Sequence, residues 1–184
     1  MNSIELMMEE HRQIKKVLKI IRKLALRILD EDIVEVEAFY DIIDFVRNYA
    51  DKHHHSKEED VLFNKMENEF EEDIMTPINA MINEHELGRM FMQKLELSLK
   101  DYKQGLNNVR VDIIANSVAY ADMLIHHIDK EDKAIYVYGK MNLSEMSKDY
   151  IEKMVKKLEQ EAEKEGIQHK YMKLIEKLDN KVNN

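Results

Sequence analysis

The stretch that decides the fold is residues 54–63, which read His54-His55-Ser56-Lys57-Glu58-Glu59-Asp60-Val61-Leu62-Phe63. Residues 127–136 repeat the pattern as His127-Ile128-Asp129-Lys130-Glu131-Asp132-Lys133-Ala134-Ile135-Tyr136. In both stretches a glutamate follows a histidine by four residues, so on a helix the two side chains share one face and can reach a common point. An imidazole nitrogen and a carboxylate oxygen together suit cations such as iron, manganese or zinc. Two such pairs facing each other would suit two metal ions with the carboxylates as bridges.

Composition and charge limit the class of protein. The 184 residues carry one continuous series of helical patterns, and four glycines and one proline leave few helix breakers, so we predict one all-α chain with a substantial core. A net charge of −9 argues against nucleic acid or an anionic membrane as a main partner. The chain contains no cysteine, which excludes disulfides, thiolate chemistry and iron–sulfur clusters held by this chain alone. Without a signal-peptide pattern or an apolar stretch of membrane-spanning length, we expect a cytoplasmic protein.

Apolar residues at steps of three and four predict four long helices, and the short connections between them predict an up-down-up-down four-helix bundle. Caps and breakers predict that the first helix runs from Asn2 or Ser3 to Leu29 and that the capping box Asp32–Glu35 starts the second. They also predict that Thr76-Pro77 starts the third helix, that Gly105 ends it, and that Gly139 ends the fourth.

Each predicted apolar stripe contains one histidine, and two of the stripes contain a glutamate one turn later. The histidines are His11, His54, His85 and His127, and the glutamates are Glu58 and Glu131. A carboxylate in a buried stripe needs a charged or metallic partner, so a metal centre explains these residues better than core packing does. The same register makes His53 solvent-facing and leaves His55 at the edge of the stripe, where it could reach a second metal or only pack.

Residues beyond 140 form a charged, amphipathic tail. A second capping pattern, Asn142 to Glu145, predicts a helix to about Glu165, and Gly166 separates it from a last short helix. We therefore expect a bundle in residues 1–140 and a C-terminal helical extension in residues 141–184 that packs on the bundle or makes a homodimer. His169 has no carboxylate partner in the tail's stripe.

The sequence resembles the hemerythrin-like, HHE cation-binding family over about residues 3–138. The words that carry the resemblance are Glu10-His11-Arg12, the stretch 54–63, Asn83-Glu84-His85-Glu86-Leu87-Gly88-Arg89 and His127-Ile128-Asp129-Lys130-Glu131-Asp132. The resemblance implies a non-haem diiron centre, for which zinc or manganese could substitute. Its terminal ligands would be His11, His54, His85 and His127, and its bridges Glu58 and Glu131.

One position departs from the family pattern. Oxygen-carrying hemerythrins have a fifth histidine one turn after the histidine of the third helix, and here that position is Arg89, which cannot bind a metal. Related proteins recruit the residue after the second-helix histidine, so His55 is the candidate replacement, with His126 and Glu86 weaker ones. Carboxylates expected to hold the outer ring nitrogens are Glu10, Glu59, Glu84 and Asp132.

The resemblance implies a function in binding dioxygen or a related small oxidant, for sensing, buffering or detoxification. The alternatives are a diiron oxidoreductase acting on peroxide or nitric oxide, and iron storage or delivery. The expected partners are the small molecule itself and, for an enzyme, an external electron donor. The sequence assigns no catalytic residue.

Overall fold

Six helices and the turns between them form the computed structural model, which describes residues 2–70 and 72–183. The helices are α1 (Ser3–Glu31), α2 (36–69), α3 (Glu72–Lys103), α4 (110–142), α5 (Glu145–Lys164) and α6 (Ile167–Asn183), with a 3-10 turn at Asn107–Val109 before α4. No strand occurs in the described ranges, which confirms the predicted all-α class. None of the helices in those ranges is long and apolar enough to span a membrane.

The first four helices run antiparallel to their neighbours. Between α1 and α4, Lys15 contacts Asp129 whereas Asp32 contacts Arg110, so residue numbers rise in one helix as they fall in the other. The contacts between α1 and α2 show the same reversal in the pairs Glu10–His54 and Arg27–Glu35. Those between α2 and α3 show it in Arg47–Glu96 and Asp51–Arg89. Those between α3 and α4 show it in Glu84–His127 and Gly88–Tyr120. These contacts describe the up-down-up-down order that short connections favour.

The core consists of two apolar clusters with a polar layer between them. One cluster includes Ile14, Phe39 and Leu95. The other includes Met7 and Leu62 and lies toward the opposite end of the bundle. The histidines and glutamates of the sequence motifs fall between these clusters along each of the four helices, so apolar packing on both sides fixes the helices that carry them.

Three predicted boundaries of the bundle helices are wrong. Asp32 does not open the second helix, since it ends α1 in the left-handed conformation with φ of 58°, and α2 begins after Glu35, which makes no side-chain cap. The third helix already starts at Glu72 and continues through Pro77. Gly139 lies inside α4, where a Cβ would stand 3.3 Å from the sulfur of Met66, so it provides close packing of two helices rather than a helix end.

The predicted breaks at Gly105 and Gly166 are confirmed, because both residues have positive φ, 96° and 70°, which glycine adopts without the steric cost that other residues incur. The predicted cap of α5 is wrong. Ser144 caps this helix instead of Asn142, and its hydroxyl accepts a hydrogen bond from the Ser147 amide.

Wide π-helical segments occur in α2 at Val46–His55 and Glu58–Phe63, and in α4 at Glu131–Ile135. A π turn contains an extra residue relative to the α-helix and is common at functional sites. In α4 this shifts the register after Glu131, so Tyr136 is buried and Tyr138, which the uniform helical pattern places in the apolar stripe, is 38 % exposed.

The two C-terminal helices pack against α1 and α2. In α5, Glu152 accepts a hydrogen bond of 2.7 Å from the Ser3 amide at the start of α1. In α6, Tyr171 packs edge-on against Phe45 with 5.7 Å between ring centroids, and its hydroxyl donates to the Asp44 carboxylate at 3.0 Å. The extension therefore covers the face of α2 opposite to α3.

Candidate metal centre

All seven residues predicted as metal ligands are brought together in the polar layer, and none is more than 6 % exposed. They are His11 of α1, His54, His55 and Glu58 of α2, His85 of α3, and His127 and Glu131 of α4.

The ligand atoms divide into two groups, in each of which one atom per residue lies within 4.8 Å of the others. The three-histidine group consists of His55, His85 and His127, and the two-histidine group consists of His11, His54 and Glu58. In the first group the rings of His55 and His85 stack at 3.7 Å between centroids, and the Nε2 atoms of His85 and His127 are 2.9 Å apart. Each group has the spacing of donors around one cation.

Glu58 faces both groups with different oxygens. Its Oε1 lies 3.5 Å from His54 Nε2 in the two-histidine group. Its Oε2 lies 3.5 Å from His85 Nε2 in the three-histidine group. A carboxylate placed in this way can bind one cation with each oxygen.

Glu131 has the same arrangement from the opposite side. Its Oε2 lies 3.3 Å from His11 Nε2, and its Oε1 lies 3.1 Å from His127 Nε2. Each glutamate therefore directs one oxygen at each group. With these oxygens, five donor atoms lie on the three-histidine side and four on the two-histidine side.

The charges inside this layer are strongly perturbed. Burial and the nearby Glu131 charge oppose ionisation of Glu58, but the imidazoles, chiefly His54, outweigh them and lower the pKa of Glu58 to about 2. Burial favours neutral rings, but the carboxylates raise the pKa of His54 and of His85 to about 10. Burial and the charge on His85 lower the pKa of His55 to about 4. The buried carboxylates thus stay ionised and draw positive charge into the layer.

Four buried polar atoms of the layer have no hydrogen-bond partner in the described chain: His54 Nε2, Glu58 Oε2 and both carboxylate oxygens of Glu131. Buried polar atoms without partners are costly and rare, so these atoms indicate a site for cations. Nitrogen and oxygen donors without sulfur fit iron, manganese or zinc. The residues present therefore fit a carboxylate-bridged pair of metal ions.

Comparison with known families agrees with this geometry. Residues 2–138 match the family model described as the hemerythrin HHE cation binding domain. The chain belongs to the hemerythrin HHE family. Searches among curated proteins and among solved structures gave no match. Family and geometry together indicate a metal-binding protein.

Every histidine of this hemerythrin-like centre has its Nδ1 atom hydrogen-bonded to a carboxylate. The pairs are His11–Asp132 at 2.7 Å, His54–Glu10 at 2.8 Å, His55–Asp51 at 3.3 Å, His85–Glu59 at 2.6 Å and His127–Glu84 at 2.9 Å. In the neutral ring that a metal requires, a proton donated from Nδ1 to a carboxylate leaves the Nε2 lone pair for the metal. Four of the acceptors were predicted from the sequence. Asp51 was not, although it lies one turn before His55.

A cation stands behind each of these carboxylates. The pairs are Asp132–Lys15 at 3.5 Å, Asp51–Arg89 at 2.7 Å and Glu59–Arg89 at 2.9 Å, with Lys57 on Glu10 and Lys130 on Glu84 at short contact. The ligand sphere of the hemerythrin-like centre is therefore surrounded by five histidine–carboxylate–cation series, which orient the rings and balance the charge of the outer carboxylates.

Arg89 explains the departure from the family pattern. Its guanidinium holds Asp51 and Glu59, the carboxylates bound to His55 and His85. The residue that stands where a fifth histidine is expected thus positions His55, which lies beside His85 in the three-histidine group. The weaker candidates lie outside the centre, since His126 and His169 are exposed and Glu86 pairs with Arg89 at the surface.

The prediction that His53 faces solvent is wrong. Its side chain is buried, and its Nε2 lies 3.0 Å from both Lys57 Nζ and Glu10 Oε1. Helix α5 is the physical reason, because it covers this face of α2 and places Glu159 3.3 Å from the His53 ring. A register drawn for the four helices alone leaves this cover out.

Tyr136 is a site residue that sequence reasoning missed. Its hydroxyl donates to Glu58 Oε1 at short contact and lies 3.5 Å from His11 Nε2, while its ring lies parallel to the His11 ring. Burial and the neighbouring carboxylates, first Glu58, raise its pKa well above the ordinary value, so the hydroxyl keeps its proton and remains a donor. Its position follows from the π turn that begins at Glu131, which shifts the register of the rest of α4.

A cavity of about 130 Å³ adjoins the three-histidine group. Its lining includes His55, His85, Gly88, Met92, Tyr120 and Leu124. Gly88 keeps this region closely packed, because a Cβ at that position would lie 3.3 Å from the Tyr120 ring. The cavity has room for a diatomic molecule beside two histidines of the centre.

Proposed function

We propose that this protein is a non-haem diiron protein that binds dioxygen or a related small oxidant for sensing, buffering or detoxification. The observation that carries the proposal is the pair of buried glutamates, Glu58 and Glu131, each of which directs one oxygen at each group of imidazoles. Two bridging carboxylates hold two metal ions close enough to share a two-electron change. A single structural cation would require only one such group of ligands, whereas this site has two.

The proposed ligand set follows the two groups. His55, His85 and His127 bind one iron and His11 and His54 the other, with Glu58 and Glu131 bridging. This assignment gives His55 the place of the fifth histidine of the family. It also agrees with the chemistry of the donors, because imidazole and carboxylate both bind iron, and manganese or zinc can occupy the same ligands.

Two ferrous ions held by these ligands would supply up to two electrons to a small oxidant. The two-histidine group offers one donor fewer than the three-histidine group. The Tyr136 hydroxyl stands on this side, 3.5 Å from His11 Nε2. Its single proton is donated to Glu58 Oε1 in this structure, and it would become available to a small molecule when metal ions bind both oxygens of that carboxylate.

The surrounding residues limit access of water. Leu62 and Ile128 are at most 1 % exposed and pack in the apolar clusters on the two sides of the polar layer. A dry wall favours retention of a neutral diatomic molecule over water and ions. The cavity beside His55, on the three-histidine side, gives a small molecule space next to the centre, and its lining includes charged side chains such as Asp51 and Arg89.

The test is metal analysis of protein purified without air, followed by absorption spectra as air is admitted. We expect about two irons per chain and a new near-ultraviolet and visible band that reverses when oxygen is removed. Two irons with irreversible oxidation, and turnover with an added electron donor, would replace oxygen binding by an oxidoreductase acting on peroxide or nitric oxide. Rapid loss of iron to a chelator without unfolding would favour iron storage or delivery. Fewer than one metal per chain after anaerobic reconstitution would refute the diiron proposal.

A further inference from the structure

A second cluster of charged side chains, three of them buried and one partly exposed, lies between the metal centre and the C-terminal helix α5. It consists of Glu10 of α1, His53 and Lys57 of α2, and Glu159 of α5, and we refer to it as the Lys57 cluster. Lys57 is 0 % exposed. Burying an ammonium group is costly unless hydrogen-bond acceptors surround it, so the partners of Lys57 must compensate its charge.

The ammonium of Lys57 is surrounded by two carboxylates and an imidazole. It donates to Glu10 Oε1 and Glu159 Oε1 at short contact, and it lies 3.0 Å from His53 Nε2. Glu10, His53 and Glu159 have the spacing of metal ligands, but the cation that they share is this ammonium. The Lys57 cluster is therefore complete without a metal ion.

Glu10 connects the Lys57 cluster to the metal centre. One of its oxygens accepts from Lys57, and the other accepts from His54 Nδ1 at 2.8 Å. The contacts run from Glu159 through Lys57 and Glu10 to the imidazole of His54. The ring orientation and basicity of His54 hence depend on how Lys57 divides its contacts between Glu10 and Glu159.

This series differs from the other four around the centre. Lys15, Arg89 and Lys130 are 31 %, 34 % and 47 % exposed, so water screens their charges. Lys57 has no such screening, and its second carboxylate comes from outside the four helices that carry the ligands. A buried charge acts more strongly on its neighbours than an exposed one.

We propose that Lys57 and Glu159 are positioning residues for His54, and that helix α5 is thereby part of the metal centre. The inference rests on the proposed two-metal site. Glu159 shares the ammonium of Lys57 with Glu10, so that part of its charge is balanced outside Glu10 and Glu10 keeps a strong hydrogen bond to His54 Nδ1. Docking of the C-terminal extension then sets the strength with which the two-histidine group holds its metal.

Glu159→Gln tests this role because it removes the charge and keeps the shape. Lys57 then has Glu10 as its remaining carboxylate partner, and the His54 bond weakens. The matched control is Glu152→Gln, on the same helix, which removes a carboxylate bonded to the Ser3 amide and not to the Lys57 cluster. Cobalt(II) is the probe, since its visible absorption spectrum reports changes at its ligands.

The protein is loaded with two equivalents of cobalt(II), and release to excess chelator is followed by absorption. The phase that His54→Ala removes or accelerates identifies the two-histidine metal. We expect Glu159→Gln to speed this phase by about 10-fold or more and to shift its spectrum, as loss of an outer hydrogen-bond partner commonly weakens metal binding 10–100-fold. The other phase should release its metal at the rate seen in Glu152→Gln.

Distinct results overturn the two proposals. If the wild-type chain takes up fewer than two cobalt ions, the two-metal site itself is refuted. If it takes up two, and Glu159→Gln has the spectrum and both release rates of Glu152→Gln, the positioning role of Glu159 is refuted while the site stands. Equal acceleration of both phases in Glu159→Gln would show a general loosening of the bundle and would also refute the role.

Discussion

The hydroxyl of Tyr136 offers a test of how the centre is stabilised with and without metal. Tyr136→Phe keeps the buried ring and its stacking on His11, and removes only the hydrogen bond to Glu58 Oε1. A hydrogen bond to a charged group contributes about 1.5–3 kcal/mol, and the change leaves a buried carboxylate oxygen without its donor. We expect the free energy of unfolding of the metal-free protein to fall by this amount.

The same substitution should matter less after metal is bound. In the proposed site the metal ions bind both oxygens of Glu58 and supply the charge that the hydroxyl otherwise helps to balance, so we expect a loss below about 1 kcal/mol. For a chain of this size, about 2–4 °C of melting temperature corresponds to 1 kcal/mol. Tyr136→Phe should therefore lower the melting temperature by about 3–12 °C in chelator and by only a few degrees in the metal-loaded protein.

Denaturant unfolding followed by circular dichroism, with and without chelator, measures both losses. Tyr120→Phe is the control, since its ring is also buried in α4 and, in the described chain, its hydroxyl has no hydrogen bond to a residue of the centre. Equal losses with and without metal would refute the reasoning that the metal replaces the hydroxyl as the partner of Glu58. So would an equal loss in Tyr120→Phe.

Three further predictions test the ligand assignment. Glu131→Gln should reduce iron from about two to at most one per chain by metal analysis, because both proposed ions lose a bridging oxygen, and an undiminished content would contradict the bridge. His55→Ala should change the spectrum of the loaded protein whereas His126→Ala, an exposed neighbour of a ligand, should not; matching spectra would remove His55 from the ligands. Arg89→Ala should lower the affinity of the three-histidine group for its metal by about 10-fold in a chelator competition, because Asp51 loses its cationic partner. An unchanged affinity would mean that Arg89 has no role in positioning the ligands.

The sequence was sufficient to predict the helices and the inward-facing ligands, because both follow from a local rule. Spacing of three and four residues puts His11, His54, His85 and His127 on apolar faces, and all four are buried. Three short connections then bring those faces together. The carboxylates around the outer nitrogens were equally accessible to this reasoning, since four of the five directly precede or follow a ligand.

What the sequence did not reveal depends on contacts between distant parts of the chain. The burial of His53 requires Glu159, more than a hundred residues later, and no local pattern shows that α5 covers α2. The boundary at Asp32 was misjudged because the same residue can cap a helix at its start or end one in the left-handed conformation. The place of Tyr136 depended on a π turn, which a uniform helical period cannot represent.

The π turn at Glu131–Ile135 also affects how this chain is compared with its relatives. An alignment to a protein whose fourth helix is regular requires a one-residue gap within this segment. Without that gap, Tyr136 is matched to a position on a different face, and every residue from there to the end of the helix is misassigned. Tyr136, the hydrogen-bond donor to Glu58, would then be aligned with residues that do not contact this glutamate, although the backbone holds the two side chains together here.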